Sequence, residues 1–304
     1  MFTSSTIAVS AACQEIADSA GASGDSADTT RAGRSLFAGI KYLNGRFNWS
    51  WLLTEHTPVS VVAPFGFTAT VSAGQSSATA GAGHGLVVDD ILTGPNFLVG
   101  TRVSATAAGS FGFNQAATAT AAGANAVSAT AVRDMYELPT DFKQPYTVRL
   151  LSTLATLSPA QRRGWDRSIT NEFQTGTPNW YDMFPQFQRD KIRLLPPPGG
   201  SDTLLIRYYR RMTVPTTTAT ATVLDIPQDY DFHLIAWAKW HYLMDKTEGR
   251  SEQAQVWLSL AQEGIKLMLA DQTRQPDETL SFQGHTIWPY PGRGSTRDIN
   301  WDYT

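Results

Sequence analysis

Ile7, Ala11, Ala12 and Ile16 recur at the 3.6-residue spacing of a helix face, and Gly21-Ala-Ser-Gly24 ends that pattern. A second helix is predicted after Asp28, where Asp or Thr can cap free amides. Its stripe is Leu36, Phe37, Ile40 and Leu43, and it stops at Asn44-Gly45. Phe47, Trp49, Trp51 and Leu52 follow as an aromatic cluster that must pack. From Thr57 the period changes from helical to two. Phe67-Thr-Ala-Thr-Val-Ser72 and Thr101-Arg-Val-Ser-Ala-Thr106 alternate, with Gly74, Gly81, Gly83, Gly85, Gly94, Gly100, Gly109 and Gly123 between such runs. Short alternating runs with closely spaced turn signals predict a small all-β module, sandwich- or barrel-like. Val87, Val88, Ile91, Leu92, Phe97, Leu98, Val99, Val103, Phe111 and Phe113 supply a core that a flexible linker would not need.

The first character returns at Arg133. Met135–Pro139 and Tyr146–Leu151 read as strands, as do Lys191–Leu195 and Thr203–Tyr209, with Pro196-Pro-Pro-Gly-Gly200 as the turn of an expected hairpin. Ile226-Pro227 opens a helix surrounded by apolar side chains on nearly every side, which predicts burial on all sides. Phe232, Trp237, Trp240 and Tyr242 are therefore candidates for contact with another subunit, as are the basic residues Arg210 and Arg211. Gly249 breaks this helix, Ser251 can cap the next, and Trp257, Leu260, Ala261, Leu267 and Met268 form its stripe. After Pro276 periodicity ends. Phe282, Ile287, Trp288, Tyr290, Trp301 and Tyr303 then mark an extended aromatic segment suited to docking on a partner, because large rigid side chains bury much area at low entropy cost.

Composition sharpens the division. The 304 residues carry 24 Lys+Arg and 27 Asp+Glu, a net charge of −3. Between Thr57 and Val132 there are three charges, Asp89, Asp90 and Arg102, with no Lys and no Trp, while all nine Trp lie elsewhere. A sequence pI near 5.9 argues against a freely diffusing, electrostatically driven DNA binder. The one cysteine, Cys13, excludes an internal disulfide framework and fits synthesis in a reducing compartment. No run reaches the ~20 apolar residues of a membrane span, and the N-terminus lacks the basic region of a signal peptide.

Catalytic chemistry is sought without success. His56, His84, His233, His241 and His285 show no zinc-binding spacing, and one cysteine cannot complete a site. No Gly-x-Ser-x-Gly stands on a strand–turn–helix. Gly81-Ala-Gly-His-Gly85 lacks the Gly-Lys-Ser/Thr ending of a phosphate loop and reads as a β-turn. Arg162-Arg163 and Arg210-Arg211 read as solvated surface unless a ring gathers them around a channel. No catalytic, cofactor-binding or metal residue is assigned, and no enzyme is expected.

Leu138-Pro-Thr-Asp-Phe142 followed by a strand, Gly176-Thr-Pro178 with Tyr181, Ile192-Arg-Leu-Leu-Pro-Pro-Pro198 and Leu205-Ile-Arg-Tyr-Tyr-Arg210 resemble tailed-bacteriophage head–tail adaptor (connector) proteins. Ile226-Pro-Gln-Asp-Tyr230 and Ala254-Gln-Val-Trp257 resemble their closing helical pair. The resemblance covers residues 133–272 well and 1–56 weakly. It implies a structural virion protein forming a homo-oligomeric ring, usually of twelve, in the neck between capsid and tail, assembled in the host cytoplasm. Such a ring joins the portal protein to downstream tail or nozzle proteins and continues the DNA channel. Genomic DNA passes without sequence-specific binding, and neither membrane nor cofactor is involved. The C-terminal arm would dock on the portal.

The expected fold class is α+β: a helical-bundle core with a small β-sheet or hairpin, an inserted all-β module and an extended C-terminal arm. The expected parts are 1–56 (helical core), 57–132 (inserted β-module), 133–275 (mixed core) and 276–304 (docking arm). The competing reading is a tail protein that binds a receptor or glycan through the β-module.

Overall fold

The computed structural model describes residues 3–19, 21, 25–120, 126–160, 174–183, 190–218, 221–246 and 252–274. The chain divides into two compact units, one of Met1–Phe47 with the chain from Thr213 onward, the other of Asn48–Met212.

The first unit contains α1 (Val9–Asp18), α2 (Ser26–Arg46), α3 (Gln228–Lys246) and α4 (Glu252–Arg274). Asp25 caps α2 by accepting the Ala27 N–H at 2.8 Å, so this helix starts earlier than Asp28. Segments distant in sequence meet through the backbone. Ser5 N–H donates to Ile226 O, Leu224 N–H to Ile7 O and Val9 N–H to Thr222 O, all at 2.9–3.0 Å. The all-round apolar character of α3 has an internal cause: α1, α2 and α4 all pack on it. Two glycines permit close approaches to α3. A Cβ on Gly39 of α2 would lie 2.9 Å from the Trp237 ring, and one on Gly264 of α4 would lie 2.1 Å from the His233 ring.

Among its described residues, the regular elements of the second unit are strands, apart from a short 3-10 turn at Ser50–Leu52. β1 (Leu53–Glu55), β2 (Val59–Val61), β10 (Phe142–Leu150) and β14 (Asp202–Arg210) make one antiparallel sheet, in which β14 pairs with the other three. β9 (Met135–Glu137), β11 (Ser158–Pro159), β12 (Trp180–Met183) and β13 (Lys191–Leu195) make a second, ordered β11-β12-β13-β9. The two sheets share one core that includes Phe142, Val148, Leu150, Ile192, Leu194, Leu204 and Ile206, which makes them a sandwich.

The third sheet comprises β3 (Phe65–Val71), β4 (Ser77–Ala80), β5 (Ile91–Thr93), β6 (Val103–Ala107), β7 (Ser110–Phe113) and β8 (Val127–Val132), in the order β5-β8-β3-β4-β7-β6. Its two edges meet. Leu92 N–H donates to Thr101 O (2.8 Å), Val103 N–H to Asp90 O (2.9 Å) and Asp89 N–H to Val103 O (2.8 Å). The sheet thus curls into a partly closed barrel, which limits the exposed strand edges. Four phenylalanines, Phe67, Phe97, Phe111 and Phe113, fill it together with small Ala69, Ala78, Ala129 and Ala131. Val87, Val88, Leu98 and Val99, expected in this core, lie in turns and are exposed, Val99 by 79%.

The expected helical-bundle core is overturned. Among the described residues there are fourteen strands in three sheets against four α-helices, so the protein is mostly β. The expected hairpin of Lys191–Leu195 with Thr203–Tyr209 is also absent, because β13 and β14 belong to different sheets. Pro196, Pro197 and Pro198 have no N–H with which to continue a ladder, and this loop pairs with Gly176 instead. Gly176 N–H donates to Pro197 O and Gly199 N–H to Gly176 O, both at 2.8 Å.

Candidate functional site: a charged seam and the assembly surfaces

The three charges of the nearly uncharged segment all face one way. β3 and β8 carry the chain into and out of the barrel, and the exit leads through Arg133 and Asp134 into β9. Asp134 is fully buried and accepts both guanidinium nitrogens of Arg102 at 2.8 Å. Its Oδ2 also accepts Arg193 Nε from β13 at 2.6 Å. Arg133 donates to both oxygens of Asp90, at 3.0 and 3.1 Å, and to Gly85 O. Lys191 Nζ reaches Asp89 at 2.5 Å. Each charge of the barrel is thereby matched to a linker residue or to sandwich strand β13.

The seam is held by hydrogen bonds as well as by charge. Arg102 Nη1 also donates to Asp89 O at 2.6 Å. The Tyr136 hydroxyl donates to Arg133 O and accepts from Val62 N–H at 3.4 Å, which ties the entry linker to the exit linker. Burial pushes the Tyr136 hydroxyl pKa up, against the lowering effect of the Val62 hydrogen bond. The hydrogen bond to Asp90 raises the Arg133 pKa further, outweighing its own desolvation. A buried carboxylate between two guanidiniums is retained only where geometry and hydrogen bonding are good, because desolvation of each ion costs several kcal/mol. The arrangement contains no nucleophile–base pair and fixes orientation rather than performing chemistry.

Gly81–Gly85 is a turn. Gly83 and Gly85 have φ of 81° and 73°, and His84 acts as a brace. Leu86 N–H donates to its Nδ1 at 3.1 Å, which leaves Nε2 as the donor to Ala107 O at 3.3 Å. Among the described residues no group of His, Cys, Asp and Glu could hold a metal ion. None of their helices is long and apolar enough to cross a membrane.

The predicted docking residues Phe282, Ile287, Trp288, Tyr290, Trp301 and Tyr303 lie outside the described residues, as do Arg162 and Arg163. The inter-subunit candidates are placed variously. Trp237 stacks on Tyr42 (5.9 Å) and His241 (5.2 Å) and meets Trp240 edge-on, inside the helical unit. Tyr242 is fully buried, and burial, with the negative charge of nearby Asp28 adding to it, pushes its hydroxyl up to about 12. Phe232 is 46% exposed and touches the Trp257 ring. Val256 and Leu267 of α4 are exposed as well, eleven residues apart and so on one side of that helix. Arg210 is half-buried at the end of β14, and Arg211 is exposed, with its N–H bound to Asp141 O. Sequence reasoning missed the seam, although the signal was present: three charges in 76 residues are too few to be surface decoration.

The family model for SU10 adaptor proteins matches residues 105–281, well over half of the chain. The chain belongs to the SU10 adaptor protein family. It is therefore a phage head–tail adaptor, a structural component of the virion neck. The matched region opens within β6, takes in β7 and β8, both sheets' strands from β9 to β14, and continues through α3 and α4. No curated protein matches the adaptor.

Proposed function

We propose that the adaptor assembles as a ring, of twelve copies, which docks on the portal through residues 276–304 and continues the DNA channel toward the tail. The carrying observation is the family match, which takes in strands β9 to β14 of the sandwich and the α3–α4 hairpin and reaches residue 281. Phe232, Val256 and Leu267 leave apolar surface available on the helical unit for a neighbouring protein. Burying the aromatic side chains of residues 276–304 on the portal would supply the interface energy.

The test is to mix purified full-length protein with its portal and image the particles. Full-length protein is expected to add a ring, and a chain ending before Pro276 is expected not to attach. Absence of a ring, or equal attachment by the truncated chain, overturns the reading.

A further inference from the structure

Beyond Leu150 the chain folds back on β10: Arg149 bridges to Thr156, and Leu157 N–H donates to Val148 O at 2.8 Å. Leu154 stands in this turn with a φ of 53° and is 71% exposed. Both properties run against its chemistry. The left-handed region suits Gly or Asn and costs a branched side chain, and exposed turns favour small or polar residues. The turn is nevertheless held. Ser152 donates its N–H and its hydroxyl to the two oxygens of Asp202, Ala155 N–H donates to Thr153 Oγ1, and Leu151 N–H donates to Thr203 O. A strained backbone that its surroundings enforce points to a use for the side chain it presents.

Leu151 is exposed as well, and alternation along β10 puts it on the side of Arg149, opposite Val148 and Leu150 in the core. Arg149 is exposed, and its guanidinium has no partner among the described residues. The tip is thus two leucines beside an unneutralised cation. Its counterpart lies on α4. Val256 and Leu267 are exposed on one side of that helix, and Glu263, seven residues after the first and four before the second, shares that side. The exposed Glu263 carboxylate has no partner among the described residues either. Arg149 and Leu151 are roughly 7 Å apart along their strand, and Glu263 and Leu267 roughly 6 Å apart along α4. One placement can therefore set cation against anion and leucine against leucine.

Neither patch suits a copy of itself, since Arg149 would meet Arg149 and Glu263 would meet Glu263, but each suits the other. A contact between two unlike patches is heterologous, and repeated head to tail it closes into a ring when the rotation allows. We propose that the Leu151/Leu154 tip of one copy docks on the Val256–Leu267 face of α4 in the next copy, with Arg149 paired to Glu263. The proposal rests on the ring reading and names the two surfaces that would repeat around it.

The test uses the full-length chain and its portal, with rings counted by imaging over a protein concentration series and thermal melting followed by circular dichroism. Arg149→Glu and Glu263→Arg are each expected to raise the concentration needed for rings by roughly tenfold or more. The double variant Arg149→Glu/Glu263→Arg is expected to restore it. Neither side chain has a partner within the described chain, so rescue reports a contact between copies. Leu154→Gly is expected to weaken ring formation while melting at or above the wild-type temperature, because glycine relieves the left-handed φ. A purely structural leucine would not separate the two readouts. If the charge reversals or Leu154→Gly form rings as wild type does, or if the double variant is no better than the single ones, the tip and α4 do not meet and the ring reading stands. If wild type forms no ring, both readings fail.

Discussion

Asp134→Asn is the sharpest perturbation of the seam. The carboxylate is 0% exposed and receives three charge-assisted hydrogen bonds, two from Arg102 at 2.8 Å and one from Arg193 at 2.6 Å. Asparagine keeps the volume but removes the charge that holds the two guanidiniums together, and its NH2 group faces one of them. Breaking a buried pair by removing one partner costs about 3–5 kcal/mol, and here two cations lose their partner at once. For a unit of this size, 1 kcal/mol corresponds to roughly 2–4 °C, so the melting point should fall by roughly 6–20 °C. Because the barrel has no Trp, fluorescence reports on the sandwich and helices, and hydrogen exchange must report on the barrel. Faster exchange at Leu92 and Val103, whose amides close the barrel beside Arg102, is the expected signature. Added salt should not rescue the variant, since ions screen buried pairs poorly. The triple change Arg102→Met/Asp134→Leu/Arg193→Met should recover most of the loss. A single variant within about 1 kcal/mol of wild type would refute the assignment of the seam as a clamp.

Gly264→Ala should destabilise the α3–α4 hairpin by about 1–3 kcal/mol through overpacking against His233, whereas the same change on a free helix face would stabilise it; helical melting gives the sign. Burial pushes the Cys13 thiol up to about 11, so it should resist maleimide at pH 8 in the native protein and react once denatured. At Asp202 burial alone would raise the carboxyl pKa, but hydrogen bonds from Ser152 and Thr203 outweigh it and hold the pKa below its ordinary value. With the folded pKa below the unfolded one, this contribution is whole above the ordinary Asp range and is lost as pH falls through it toward the folded pKa. Protection of the Ser152 amide, measured against its intrinsic exchange rate at each pH, should therefore fall in acid, and Asp202→Asn should abolish that dependence.

The helices were legible because their stripes are long: Leu36, Ile40 and Leu43 on α2, and Ala261 and Met268 on α4, are buried as their spacing requires, although Leu267 of the same expected stripe is exposed. The β character of residues 57–132 was legible from alternation and glycine. The sandwich was not, for two physical reasons. β1, β2 and β9 are three residues each, too short for periodicity to show, and β1 pairs with β14 about 150 residues away, through register that no local signal encodes. The same limit misled at Trp237 and Tyr242. A helix apolar on all sides announces burial, but not whether its neighbours belong to its own chain, and here α1, α2 and α4 supply them.

The barrel cannot be a detachable cargo on an otherwise complete connector. The family match opens in β6, so β7 and β8 already fall within the shared region, while β3, β4 and β5 lie before it. A sheet ordered β5-β8-β3-β4-β7-β6 interleaves the two groups, and neither can form it alone. Excising residues 57–132 would also strip Arg102, Asp89 and Asp90 from the seam, leaving Arg133 and Lys191 without the charges they face and Asp134 with Arg193 alone. Loss of function in such a deletion would then report a broken sandwich and not a missing contact.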